Sequence, residues 1–110
     1  MTESSKLFIV VRSDLVPGLQ AAQACHALDE FSAEHPELYA SWHEKSKVLV
    51  LLGVAQESDL DGLAGCAERK GLRLARNFEP DLGGELTAVA FGPEAKSLLR
   101  PLSLLLREAA

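Results

Sequence analysis

Positive charge is scarce in this chain. Eleven Lys and Arg stand against sixteen Asp and Glu over 110 residues, a formal net charge of −5. That balance excludes a protein that holds nucleic acid mainly through bulk charge, although Arg69, Lys70, Arg73 and Arg76 form one local basic stretch. Arg69 and Lys70 also lie where a helix C-terminus favours cations. Cysteine is limited to Cys25 and Cys66 and histidine to His26, His35 and His43, none at a ligand spacing, so no metal centre and no disulfide are expected. The two thiols read as small buried apolar residues in a reducing cytoplasm. Long apolar runs are missing too. MTESSK at the start is polar, and residues 7–11 are too few for a signal core or a membrane span, so a cytoplasmic protein with no membrane partner is expected.

What is present reads as one α/β domain over residues 1–110, with 47% apolar and 25% charged residues. It is organised around residues 10–28, VVRSDLVPGLQAAQACHAL, where an apolar run stops at Arg12, Ser13 and Asp14. The chain then passes through Val16, Pro17 and Gly18 into helix formers. That is a strand, a tight loop and a helix. In an open α/β sheet, free N–H groups and the helix dipole converge on a ligand at such a junction. Its polar residues Arg12, Asp14, Gln20, Gln23 and His26 are therefore the first functional candidates.

Lys6 to Arg12 holds a continuous apolar run rich in β-branched residues, as suits a central strand covered on both faces. The helix is expected over residues 17–33, with Pro17 in its first turn and His35-Pro36 as the stop. Ala21, Cys25, Leu28 and Ser32 line one face, and Gln23, His26 and Glu30 another; Ala21, Ala22 and Ala24 point to close packing on the sheet. A short helix over residues 36–42 ends in Trp42, a lone aromatic read as an anchor to the core rather than a base-stacking platform. A second buried strand follows over residues 47–54. The next helix begins at Ser58, with Asp61 as its capping-box partner, Leu60, Leu63, Ala64 and Ala67 inward, and Gly71 as its left-handed end. A third strand over residues 72–77 or 72–78 carries Arg73 and Arg76. FEPDLGGE then turns the chain, and residues 86–91, LTAVAF, return as a fourth strand hairpinned to the third, which makes the sheet mixed. Gly92-Pro93 ends it and residues 94–100 form a short helix. The apolar residues 102–106 belong either down on the core or against a second copy of the chain, as a homodimer.

In order and spacing, VVRSDL, GLQAAQACHAL, Trp42 ahead of KVLVLL, the acidic glycine-containing turn and LTAVAFGP resemble the second type of peptidyl-tRNA hydrolase, over residues 6–93. The resemblance implies a three-layer α/β/α sandwich on a four-stranded mixed sheet. It also implies hydrolysis, without metal or cofactor, of the ester that joins a stalled peptide to the terminal ribose of tRNA. That ester is activated, so a positioned water, a base and donors for the developing oxyanion suffice. On the resemblance, His26 and Gln23 match the family's helix motif. Thr87 matches a threonine near the reaction centre, and either Glu79 or Asp81 supplies the acidic residue, Asp81 being preferred as the one freed by Pro80 to face inward. The carboxylate would orient water or act as base, Thr87 would hold the water or polarise the carbonyl, and His26 would donate to the substrate or relay a proton. Without the resemblance the roles are plainer: Asp81 is a turn residue, Thr87 a strand residue and Asp14 the cap of the first helix.

The family's lysine-rich loop, of the type GKGK, is replaced here by the lysine-free VPGLQ. Arg12 or Arg76 would then serve as phosphate ligand, but arginine stays charged and is a poor proton acceptor. Two functions are expected from this. One is hydrolysis of peptidyl-tRNA or a related N-acyl-aminoacyl ester, releasing free tRNA. The other is a relative without catalysis that acts as a ligand-binding or dimerising regulatory module.

Overall fold

In the computed structural model, which describes residues 5–106, the apolar N-terminal run becomes β1 (Lys6–Arg12), the middle strand of a mixed sheet. It is followed by α1 (Pro17–Glu34), α2 (Pro36–Lys45), β2 (Val48–Val54), α3 (Glu57–Arg69), β3 (Leu74–Glu79), β4 (Glu85–Phe91), α4 (Lys96–Leu99) and β5 (Ser103–Leu104). The strand order is β3-β4-β1-β2-β5. β1 and β2 run parallel, and β4 runs antiparallel to both β1 and β3.

The sheet has five strands rather than the four expected. Residues 102–106 do not stand away from the molecule: β5 pairs antiparallel with Leu52 and Gly53, the Leu105 N–H donates to Leu51 O at 3.0 Å, and the Leu105 side chain is buried. A pairing two residues long leaves no alternation to read in the sequence.

Side chains of β1 alternate between two clusters. Phe8 and Val10 join Leu60, Ala64, Ala67 and Leu99, whereas Leu7, Ile9 and Val11 join Ala24, Ala27, Phe31 and Trp42. Burial on both sides is why the segment is apolar throughout. β2 is less covered than expected: Val48 and Leu49 are exposed, and β5 borders only its C-terminal half. It also starts one residue late. Lys47, at φ 59°, closes α2 with its N–H on Trp42 O at 2.9 Å. Trp42 is buried and ties α2 to the sheet, its indole Nε1 donating to Val48 O at 2.7 Å.

Two helices differ from expectation for identifiable reasons. The inward stripe of α1 is Gln20, Gln23, Ala24, Ala27 and Phe31, while Ala21, Ala22 and Cys25 are exposed. Two buried glutamines disguise that stripe, so an apolar-face reading rotates the helix. Cys25 is consequently at the surface and Cys66 half-buried, not core residues. α3 begins at Glu57 with no side-chain cap, so Ser58 and Asp61 form no capping box. Glu57 instead turns its carboxylate to the N–H of Leu86 at 2.9 Å. Among the described residues, no helix is long and apolar enough to cross a membrane.

Phe31 is completely buried beneath α1. Phe31→Ala is expected to cost about 3–5 kcal/mol in urea unfolding, whereas Val16→Ala, at a position 67% exposed, should change stability by less than about 0.5 kcal/mol.

Candidate active site

The pleat of β3 turns Ala75, Asn77 and Glu79 toward α1, and Arg76 toward Glu68 of α3. On β4 the alternation is interrupted. Asn77 is opposite Ala88 but Phe78 is opposite Leu86, so Thr87 is the extra residue of a β-bulge. Leu86 packs with the α3 cluster, whereas Ala88 packs with the α1 cluster and Thr87 reaches Gln23 on α1. Bulges re-aim a side chain in this way without disturbing the strands beyond them.

Gln23 is the hub. Its Oε1 accepts from Thr87 Oγ1 at 2.7 Å and from Asn77 Nδ2 at 2.8 Å, and its Nε2 donates to Glu79 Oε1 at 2.8 Å. Asn77 Nδ2 also donates to Thr87 Oγ1 at 3.1 Å. The amide therefore has one workable orientation. Reversed, it would set NH2 against NH2 at Asn77 and oxygen against carboxylate at Glu79.

Glu79 is the outlet of this network. Its second oxygen accepts the N–H of Asp81 at 3.1 Å. The Gln23 hydrogen bond first and the Asp81 N–H next hold its carboxyl below the usual carboxylate range against the opposing effect of desolvation, with a lesser contribution from the charge of His26. Asp81, preferred on sequence, does not face inward. The tight turn Pro80–Leu82 leaves its side chain exposed, and the turn is completed by Gly83 and Gly84 at φ 67° and 79°, conformations glycine adopts without strain. Thr87 is 0% and Gln23 1% exposed. In this arrangement they position Glu79, and the groups that meet solvent are Glu79 and the exposed His26.

The remaining candidates lie around the exit of β1. Arg12, buried to 8% exposure, donates through Nε and Nη2 to both oxygens of Asp14, each at 3.0 Å, and through Nη1 to Glu85 Oε1 at 2.8 Å and Leu86 O at 3.2 Å. The hydrogen bonds that Arg12 donates to Asp14 and Glu85 raise its pKa further above its ordinary value, and Arg12 lowers that of Asp14. Asp14 thus serves Arg12 and does not cap α1, whose N-cap Val16 makes no side-chain bond. Gln20 fastens the loop, its Nε2 donating to Leu15 O at 2.5 Å and Ser13 O at 3.2 Å. Arg76 pairs with Glu68 at 3.1 Å. Sequence reasoning missed Asn77, although it stands two residues before Glu79 on the same strand face.

A groove of about 660 Å³ lies beside β3, between the C-terminal halves of α1 and α3, and its lining includes Asn77 and Phe78. A hollow of similar size between α3 and the C-terminal segment is lined by Leu63, Cys66, Leu98 and Leu102, and takes in none of the network. Among the described residues, no three His, Cys, Asp or Glu side chains come together as a metal ion would need.

Fold and site define a small mixed-sheet α/β protein in which buried amides and a hydroxyl fix one carboxylate at the end of a strand. The family described as Peptidyl-tRNA hydrolase PTH2 matches residues 5–107, and the chain belongs to that family. Its fold is similar to the solved structure of a protein of unknown function, Atu0240 from Agrobacterium tumefaciens strain C58. The TM-score is 0.68 at 9% identity, over 90% of this chain and 96% of that one. No curated protein matches the chain.

Thr87→Val keeps the shape of the bulge but removes a donor and an acceptor from the network. It is expected to destabilise the protein by about 1–3 kcal/mol in urea unfolding. The Glu79 carboxyl titrates lower in the folded chain than its ordinary value of 4.5. Its contribution is therefore complete above that value and is lost as pH falls through the folded value. Glu79→Gln should flatten the acid limb of the stability profile, and an unchanged limb would refute the role given to the Gln23 bond.

Proposed function

We propose that this chain hydrolyses the ester between the peptide and the terminal ribose of peptidyl-tRNA, or of a related N-acyl-aminoacyl ester, and releases free tRNA in the cytoplasm. The observation that carries this reading is the Gln23, Asn77 and Thr87 network that fixes Glu79 in a member of this family. The two core clusters, one under α1 and α2 and one under α3, support a single domain with helices on both faces of the sheet, a three-layer arrangement.

Ionised at neutral pH, Glu79 keeps lone pairs free beyond the two its neighbours occupy, and these orient a water toward the ester carbonyl. As the water oxygen bonds to the carbonyl carbon, its proton passes to the carboxylate. The bond from that carbon to the ribose oxygen then breaks, and the leaving oxygen takes a proton relayed by His26. Thr87, Gln23 and Asn77 act through Glu79. Arg76, whose side chain is 27% exposed and bonded to Glu68 alone, suits a phosphate better than Arg12, which two carboxylates already hold.

With an N-acetylaminoacyl-tRNA as substrate, Glu79→Gln is expected to lower kcat by about 10²–10⁴-fold, and Asp81→Asn to leave it nearly unchanged. Wild-type release no faster than the buffer blank would overturn the reading.

A further inference from the structure

On the hydrolase reading, Glu79 addresses the ester end of the substrate and the peptide is unaccounted for. We propose that the open edge of β3 is a subsite for the peptide moiety, taken up as an added strand through backbone hydrogen bonds. This inference rests on the hydrolase reading above.

β3 ends the sheet on its side. The carbonyls of Arg73 and Asn77 face β4: the first accepts from the Gly92 N–H at 3.1 Å, and the second lies 3.3 Å from Thr87 Oγ1. The residues between them face the other way. His35 Nε2 lies 2.9 Å from Leu74 O, and by the same alternation Arg76 and Phe78 aim their N–H and C=O groups outward, where no strand pairs with them. Proteins usually cover or blunt such an edge. Here the Leu74 end alone is covered. Alongside the open part runs the groove of about 660 Å³, bordered by Glu30, Glu34 and Glu68 and by Arg73 and Arg76, and Phe78 offers it a side chain that is 55% exposed.

Charge and position select the occupant. A second copy joined edge to edge about a two-fold axis would double the groove's excess of carboxylates, Glu30, Glu34 and Glu68 over Arg73 and Arg76, at one seam. A nucleic-acid strand could set a phosphate against Arg76, but phosphate oxygens only accept and would leave the outward carbonyls of the edge unpaired. An extended peptide meets neither obstacle. Lying parallel to β3, it brings its C-terminal carbonyl to the Glu79 end and its cationic α-amino end to Leu74, beside Glu34 and His35. Backbone pairing also makes no demand on side chains, which suits a stalled peptide of arbitrary sequence. Asn77 joins the two regions, lining the groove with the side chain that holds Gln23.

The test is an NMR titration of the isotope-labelled full chain with a five-residue peptide amide that has uncharged side chains and a free α-amino group. The N–H signals of Arg76 and Phe78 should shift, and the same peptide methylated on alternate backbone nitrogens should bind about tenfold more weakly or worse. Arg76→Pro, which removes one outward N–H at an edge position where proline is tolerated, should weaken the peptide similarly; Arg76→Ala should not. Shifts confined to the hollow beside α3, or equal binding of the methylated peptide, would overturn the subsite. In turnover, a tRNA carrying that peptide should show a KM about tenfold below that of N-acetylaminoacyl-tRNA, a ratio abolished by Arg76→Pro. An active enzyme with equal KM values would overturn the subsite and leave the hydrolase reading intact. Peptide binding at β3 without any hydrolysis would uphold the edge as a peptide site and overturn the hydrolase reading.

Discussion

The polarity of one buried amide governs the site. Gln23 Oε1 receives two hydrogen bonds from β3 and β4, which leaves its Nε2 to face Glu79. Buried polar networks are costly when half satisfied and rigid when complete, and no buried side-chain polar atom among the described residues lacks a partner. The helix supplies the hub, and the hairpin supplies everything the hub touches. Any shift of α1 along the sheet would break all of these bonds together, so the same contacts that fix Glu79 also fix the helix.

The sheet topology explains how such distant residues meet. β4 lies between β1 and β3, and α1 leaves β1 to pack across β1, β4 and β3. A helix starting near Pro17 therefore passes over strands that begin after residue 70. The bulge at Thr87 then turns one additional side chain up to that helix. At the same end of the sheet, Arg12 gathers Asp14 and Glu85, tying the exit of β1 to the entrance of β4. The two polar clusters divide the work: one fixes strand ends and the other presents a carboxylate to solvent.

Much of this was legible in the residues, and the misses share a cause. The unbroken apolar run of β1, the stop at His35-Pro36 and the link of β3 to β4 follow from local chemistry that neighbouring elements do not alter. The inward face of α1 was misread because its stripe contains Gln20 and Gln23, whose burial makes sense only beside partners far along the chain. The choice between Glu79 and Asp81 turned on strand parity. Counting in twos from Ala75 reaches Asn77 and Glu79, while Pro80 starts a turn that takes Asp81 out of the pleat. The bulge had no mark at all, since ELTAVAF has neither glycine nor proline to announce it. β5 was hidden by its length.

A carboxylate held below its ordinary pKa is a weaker base, and this is at odds with the part proposed for Glu79 only if basicity is the larger effect. Each unit of lost basicity slows proton removal by at most about tenfold, because the Brønsted dependence is fractional. Correct placement of reacting groups is worth far more, with effective molarities up to about 10⁵–10⁸ M for well-oriented pairs. The same bonds from Gln23 and the Asp81 N–H cause both effects, lowering the basicity of Glu79 while immobilising it. For an activated ester the exchange favours order. On the proposed hydrolase reading it also accounts for the absence of lysine from the loop between β1 and α1: where geometry supplies most of the barrier reduction, His26 beside a fixed carboxylate would be chemistry enough.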